Sequence, residues 1–197
     1  MSRRRSVAFL TTTLIGVLAV TAAISTQVAD RQLVLSTGPT VRAYLILEGI
    51  AGEATTSGHE NWIEVLSFSW GFSNPGPPPG TPMVAGSRAN FQDLVITKPI
   101  DKSSPLLALA CADGSAIRDG ELAFYASGSA EEPTGIVRLA NVRVSSVTSE
   151  SGSSGSGLTE TIGLTFGRVE WIVYEYGERG RTGETRTGWD VGANSPL

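Results

Sequence analysis

"GHENWIEVLSFSWGFSNPGPPPG", residues 58–80, reads as a β-strand that runs straight into a proline-rich loop. From Leu66 onward the bulky side chains Leu66, Phe68 and Trp70 alternate with Ser67 and Ser69. Alternation along a strand sends successive side chains to opposite faces, so one face packs on a core and the other is a wetted row of hydroxyls. The loop that follows, Gly71 to Ala89, carries Pro75, Pro77, Pro78, Pro79 and Pro82. Proline runs are stiff, extended and short of amide donors, so this segment does not fold back as a hairpin but projects as a semi-rigid arm. Loops longer than about 12–15 residues are usually functional or disordered.

Working outward, "VRAYLILEGI" (41–50) sets Ala43, Leu45 and Leu47 against Tyr44 and Ile46, so both faces are apolar, as in a central strand. "GIAGEATTSGH" turns through three glycines, and "ANFQDLVITKPI" and "GELAFYA" are further strands. "DKSSPLLALACADG" predicts the one globular helix, with Ser104 as N-cap, Pro105 at the first helical position and Gly114 closing the end. It is apolar for most of its length, so it is expected to be pinned against a sheet. In "TGIVRLANVRVSSV" the apolar phase moves from Val137 and Leu139 to Val142 and Val144. In "ETIGLTFGRVEWIVYEY" it moves from Ile162, Leu164 and Phe166 to Val169, Trp171 and Val173. A one-residue change of phase marks a bulge or sharp bend, with Gly167 well placed for the second, and bent strands let sheets curl into barrels. "SESGSSGSG" (149–157) is a flexible connector. The count is seven or eight strands and one short helix: an all-β barrel or sandwich with a flanking helix. The core is expected to include Leu66, Phe68, Trp70, Leu107, Cys111 and Trp171.

A chain of 197 residues, 41% hydrophobic and 17% charged, suits one domain with a real core. Its first 29 residues stand apart. Arg3, Arg4 and Arg5 precede an uncharged run from Val7 to Ile24, with small residues beyond. That is the layout of an export signal, and the adjacent arginines also permit a twin-arginine reading. The alternative is an uncleaved anchor through residues 7–24, which is short for a bilayer span and weakened by Thr11, Thr12 and Thr13. Without residues 1–29 the chain keeps twelve basic against nineteen acidic residues, a formal charge of −7. So acidic a domain, with no basic stripe, is a poor holder of phosphate backbones, so no nucleic-acid partner is expected. The single cysteine, Cys111, cannot close an internal disulfide and sits among Leu107, Ala108, Leu109, Ala110 and Ala112, which reads as hidden.

Reactive constellations are not evident. His59 is the sole histidine and lies on a glycine-flanked turn, where it reads as a turn residue capping backbone groups. One histidine and one cysteine do not make a zinc site, so no metal and no cofactor are expected. "GSSGSG" lacks the lysine and helix of a phosphate-binding loop. The carboxylates Glu48, Glu64, Glu170 and Glu175 could in principle supply a hydrolytic pair, but pairing across strands with Arg138, Arg143 or Arg168 is the simpler use. No catalytic residue is assigned, and the chain reads as architecture, not as an enzyme.

Four stretches, "YLILEGIAGEATTSGHENWIEVLSFSWG", "FQDLVITKPIDKSSPLLALACADG", "VRLANVRVSSV" and "ETIGLTFGRVEWIVYEY", resemble in order and spacing the haemolysin-coregulated protein (Hcp) family, the tube subunits of type VI secretion. The terminal "GWDVGAN" is similar to the ending of many longer members, so the likeness runs over residues 43–194. The resemblance implies a two-sheet β-barrel over 43–177 with one flanking helix, after a leader (1–29) and a variable lead-in (30–42), and before a polar segment (178–197). It implies self-association into hexameric rings with a wide channel, rings that stack into a tube, small effectors in the lumen and other secretion components as partners. In relatives the loop after the second strand reaches neighbouring subunits, which assigns ring stacking to Gly71, Asn74, Pro75, Pro77, Pro78, Pro79, Pro82 and Arg88. Ser67 and Ser69 become the candidate channel lining. Two features depart from the family: tube subunits assemble in the cytosol and need no export signal, and the proline cluster is unusual. The chain is therefore expected in the periplasm or outside the cell if the leader is used, and otherwise secreted from the cytoplasm through type VI secretion. The second reading is an exported Hcp-like ring, filament or adhesion module without a contractile apparatus.

Overall fold

Strand phase organises the whole molecule, and two of its changes shape the layers; further register shifts fall between Val144 and Ser146 and between Arg181 and Gly183. In the computed structural model, which describes residues 42–76, 80, 88–126, 132–151 and 158–197, the first change falls in the stretch around Leu66. β1 (Arg42–Leu47) pairs antiparallel with β2 (Ile63–Val65), whose Ile63 and Val65 are buried. β3 (Ser67–Ser69) follows after one residue and pairs instead with β6 (Leu94–Pro99). Between them Leu66 and Ser67 both face outward, after which Phe68 and Trp70 pack against the core. One extra residue in a strand inverts its faces. Leu66, which plain alternation assigns to the core, is therefore 51% exposed, its amide donating to the Thr97 carbonyl at 2.8 Å.

The second change is shared by two long strands. β7 (Ile117–Tyr125) pairs with β1 and with the first half of β8 (Gly135–Ser151). β8 lies along β9 (Leu158–Gly177) as far as Val173. On its other edge β9 pairs with β6 up to Leu164, and from Arg168 with β10 (Gly180–Asp190). The switch from one partner to the other falls at Gly167. Directly opposite, Asn141 adopts a left-handed φ of 55°, a conformation asparagine tolerates better than most residues. A Cβ on Gly167 would lie 3.0–3.2 Å from the Asn141 side chain, so glycine lets the two strands bend together without losing register.

The result is two curled layers: β10–β9–β8–β7–β1–β2, and the far halves of β8 and β9 with β6 and β3. The pairing circuit returns to β9 but is interrupted at Leu66, so the sheets curl without a closed ladder. β4 (Phe72–Ser73) and β5 (Asn90–Phe91) form a separate two-residue pair, and β11 (Ser195–Pro196) pairs with the end of β10. The fold is mainly β, with two sheets and one short helix. Between the layers sits the main core, with Leu45, Ile63, Ile96, Leu107, Leu122, Val142, Ile162 and Leu164 fully buried. A smaller cluster, Tyr44, Ala123, Tyr125, Ile136 and Ile172, lies on the opposite face of the first layer, where Ala54 and Trp62 of the β1–β2 connection cover it.

α1 (Ser104–Asp113) packs on β8, with Leu107 and Ala110 buried and Cys111 half-buried against the core, while Leu106 and Leu109 stay exposed. Pro105 opens the helix and Gly114, at φ 68°, closes it in the left-handed conformation. The expected cap is displaced by one residue: Ser103 holds the cap position without a capping bond. Ser104 is committed elsewhere, its hydroxyl accepting from the Asp101 amide at 3.1 Å and donating to Glu160 Oε1 at 2.7 Å. The segment after Gly177 is part of the sheet through β10, and Trp189 packs against the core. Residues 1–41, Pro77 to Pro79, Pro82 and the glycine-serine connector at 152–157 lie outside the described residues. Among the described residues no helix is long and apolar enough to cross a membrane.

Candidate assembly surface

The proline arm leaves and rejoins the barrel through β4 and β5, where Phe72 pairs with Phe91 and Ser73 with Asn90. Below them the Gln92 amide donates to the Gly71 carbonyl at 2.8 Å. On the outgoing limb Asn74 Oδ1 accepts from the Gly76 amide at 3.2 Å, and Pro75 is exposed. The returning limb is tied to the "GWDVGAN" segment: Arg88 Nη2 donates to the Val191 carbonyl at 3.0 Å and the Ala89 amide to Asn194 Oδ1 at 3.3 Å. That segment is held in turn by Asp190, which takes the Ala193 amide at 2.7 Å and pairs with Arg168 Nε at 2.8 Å. Gly71 and Arg88 are thus tied to Gln92 and Val191, and Asn74 and Pro75 lie on the outgoing limb.

Aromatic rings fill the base of the arm. Phe72 stacks on Phe91 at 5.4 Å and makes a tilted contact with Trp171 at 5.4 Å, and Trp70 lies 5.5 Å from Trp171. Trp70, Phe91 and Trp171 are half-buried against the core, whereas Phe72 is 59% exposed. Sequence reasoning placed Trp70 and Trp171 but missed Phe72 and Phe91, because each sits in a two-residue strand too short to show a period. The spacing that could have exposed them is an aromatic at each foot of the loop.

Ser67 and Ser69 are exposed, and the hydroxyl row extends beyond them. Ser67 pairs with Thr97, Thr97 with Thr161 and Thr161 with Thr148, a line of hydroxyl residues across β3, β6, β9 and β8. The first layer presents a different surface on its outer face. Glu121, Arg138, Glu170, Arg186, Glu184 and Arg181 run across β7 to β10, with Arg138 2.9 Å from Glu121 and 3.5 Å from Glu170, and Arg186 3.6 Å from Glu170. Alternating signs cancel the field, and exposed pairs of this kind contribute about 0–1 kcal/mol each.

The remaining candidates for chemistry are structural. Glu48 pairs with Arg118 at 2.7 Å, Glu175 accepts from the Thr185 hydroxyl at 3.2 Å, and Arg143 donates to the Gly114 carbonyl, so the strand carboxylates do not converge as a pair. His59 sits on the turn expected of it, inside a cage of aromatic rings. Its ring stacks on Tyr44 at 4.6 Å, meets Trp62 edge-on at 4.7 Å, and its Nε2 is 2.8 Å from the Tyr125 hydroxyl, while Nδ1 is buried without a partner. Burial lowers its pKa below the ordinary imidazole value, against the opposing influence of the Ser57 backbone, Glu60 and Glu121. Lys98 is fully buried, its Nζ bonding Glu160 and Asp101 at 2.8 Å each, the Pro99 carbonyl at 2.8 Å and Ser104 at 3.2 Å. Burial alone would raise the Asp101 pKa, but hydrogen bonds from Lys98 and Ser103 hold it below the usual carboxylate range. Among the described residues no group of three His, Cys, Asp or Glu is placed to hold a metal ion.

The described residues thus form a bent two-layer β-fold with one flanking helix, a hydroxyl face and a loop tied down at both of its limbs. Residues 44–173 match the family model described as "Type VI secretion system effector, Hcp", and the chain belongs to the Hcp family. It is 30% identical over 157 residues to the "Protein hcp1" of Pseudomonas aeruginosa, an alignment covering 78% of this chain and 97% of that protein. A solved structure titled "Structure of a type six secretion system protein" superposes with a TM-score of 0.73 at 28% identity, covering 79% of this chain and 99% of that one. Hcp1 from Salmonella typhimurium shares the fold, with a TM-score of 0.66 at 24% identity, covering 80% and 99%.

Proposed function

We propose that this chain is a non-enzymatic, self-assembling tube subunit of the type VI secretion kind, forming hexameric rings that stack into a channel for effector delivery. The observation that carries the reading is the family match over residues 44–173, which spans the fold from β1 to Val173 of β9. A head-to-tail contact whose rotation closes yields a ring, and a contact repeated along the axis yields a stack. The arm, with Gly71, Asn74, Pro75, Pro77, Pro78, Pro79, Pro82 and Arg88, supplies the stacking contact, and its stiffness lowers the ordering cost of docking. The hydroxyl row from Ser67 to Thr148, with Ser69, lines the channel, a neutral wetted surface suited to passing diverse small effectors. The domain runs from residue 43 to 177 and is completed by the polar segment 178–197. Secretion components and small effectors are its partners, and it leaves the cytoplasm by the type VI route.

A second reading is favoured by one observation, the Arg3–Arg5 and Val7–Ile24 pattern. If residues 1–29 direct export, the subunit is separated from any cytosolic sheath and forms a ring, filament or adhesion module outside. The full chain, purified and imaged by electron microscopy with its N-terminus read by mass spectrometry, tests both. Rings of about six subunits support assembly, and stacks lost on deleting residues 75–82 support the arm. A folded monomer that persists at high concentration would overturn the proposal. A mature N-terminus near residue 30 would favour the second reading over the first.

A further inference from the structure

We infer that the connection between β1 and β2, residues 51–62, is a flap with a proton-operated catch. His59 latches it over the second apolar cluster while its ring is neutral, and releases it when the ring takes up a proton. This face of the first layer takes no part in the tube reading, and the flap stands independently of it. The flap is folded on itself: the Gly52 amide donates to the Asn61 carbonyl at 2.8 Å, and Ala54 exchanges bonds with Trp62 and Asn61 at 2.9 Å each. Its root is fastened to the loop before α1, where the Lys102 amide donates to Glu53 Oε1 and Lys102 Nζ to Asn61 Oδ1, both at 3.1 Å. Its tip is fastened by two tyrosine hydroxyls. Thr56 bonds Tyr44 of β1 at 2.9 Å, and His59 Nε2 bonds Tyr125 of β7 at 2.8 Å.

The catch is complete for a neutral imidazole. With Nε2–H donating to the Tyr125 hydroxyl, a bare Nδ1 leaves a single lone pair unfilled. A protonated ring carries a second N–H, at Nδ1, and that atom is buried without a partner. The Ser57 backbone lies near enough to favour the charged ring, yet makes no hydrogen bond of acceptable geometry with it. Two acids act on the ring, Glu60 from the flap and Glu121 from β7. Both are engaged elsewhere, Glu60 with the Gly58 amide at 3.0 Å and Glu121 with Arg138 at 2.9 Å. The nearby cations are Lys102, bonded to Asn61, and Arg42 of β1, which acts on Tyr125. A buried charged donor with no acceptor costs more than one hydroxyl bond contributes. The least costly relief is local: the tip lifts, the ring reaches water, and Tyr44, Ala123 and Tyr125 are uncovered while the strands beneath keep their pairing. Imidazole is the one side chain whose ordinary charge change falls between pH 5 and 8, and His59 is the only histidine in the chain. Burial, the largest influence on its pKa, lowers it, so the flap is shut at neutral pH.

The test is hydrogen exchange read by mass spectrometry on the full chain at about pH 7.5 and pH 5, each rate referred to the intrinsic rate at its own pH. An NMR titration of the single histidine ring runs beside it. The ring is expected to titrate below about 6.5. Peptides spanning residues 52–62 are expected to lose protection about tenfold or more over the same step, while those of β8 and β9 keep theirs. His59→Gln is expected to abolish the step, whatever level of protection it sets. Tyr125→Phe keeps the ring and removes the hydroxyl, and is expected to lower protection of the flap at pH 7.5 with β8 and β9 unchanged. Equal protection of the flap at the two pH values overturns the inference. So does a loss shared by β8 and β9, which would be global unfolding, or a step that survives in His59→Gln. A ring that titrates at or above about 6.5 overturns it as well.

Discussion

The corner where β6 meets α1 and the corner where β3 meets the arm are about thirty residues apart and are built on opposite principles. At the first, a charge is buried and every partner is present: Lys98 is held by Glu160, Asp101, Ser104 and the Pro99 carbonyl. At the second, apolar rings are stacked but one face is left open, with Phe72 exposed above half-buried Trp171 and Phe91. A fully satisfied buried ion cluster has no capacity for another partner, whereas an ordered and uncovered aromatic does. The "TKPIDKSSP" stretch therefore serves the fold, and the "SWGFSNP" stretch faces outward. Substitutions that separate stability from assembly test this contrast.

The largest effect on stability is expected at the first corner. Lys98→Ala leaves Glu160, at 2% exposure, without its counter-charge, and removing one partner of a buried pair costs about 3–5 kcal/mol. Urea denaturation of the variant measures it. The double variant Lys98→Met, Glu160→Leu is expected to recover much of that loss, because no unpaired charge remains, and a strictly additive double variant would contradict the account. Trp171→Ala comes next, at about 2–4 kcal/mol, since the ring is half-buried against the core, stacks on Phe91 and meets Trp70 and Phe72 at a tilt.

A smaller effect, dependent on pH, is expected away from both corners. His59 is caged by Tyr44, Trp62 and Tyr125, with Glu60 and Glu121 as the nearby acids, and burial favours its neutral ring. The unfolded chain takes up the proton first as pH falls through about 6.5, so the native state binds fewer protons and loses stability on acidification, regaining it toward neutral pH. His59→Gln is expected to remove that slope. Asp101 has the usual carboxylate sign: its lowered pKa stabilises the fold above about pH 3.9 and is lost as pH drops further. Thermal unfolding from pH 8 to 3 separates the two windows, and a slope near 6.5 that survives in His59→Gln would show that the cage is not its source.

Much of the layout was legible because it is written in side-chain period. Val142, Val144, Ile162 and Leu164 announced their buried faces, and the double change of phase around Gly167 located the bend before Asn141 was known to face it. Leu66 was misread because the stretch from Leu66 to Trp70 alternates on its own. Only the earlier phase of Ile63 and Val65, carried forward by pairing with β1, shows that a residue is extra. Ser104 was misread as a cap because its hydroxyl is claimed by Glu160, 56 residues away. Long-range claims on polar atoms are invisible to local pattern. The same limit hid the arm's foot, where Arg88 meets Val191 and Ala89 meets Asn194 only through the fold.

The smallest expected change in stability is also the sharpest test of the comparison. Phe72→Ala removes a large ring that is already mostly in water, so unfolding free energy is expected to shift by no more than about 0.5–1 kcal/mol, the scale of surface substitutions plus one exposed stacking contact. If the aromatic rings at the base of the arm form an interface, the same change weakens ring or stack formation far more than that. The useful quantity is the ratio of the two effects, read by urea titration and by light scattering on one sample. Lys98→Ala should show the reverse, a large loss of stability with assembly lost only in proportion to unfolding. A Phe72→Ala variant that assembles like the parent, or that unfolds as readily as Trp171→Ala, would place Phe72 in the core and erase the distinction between the two corners.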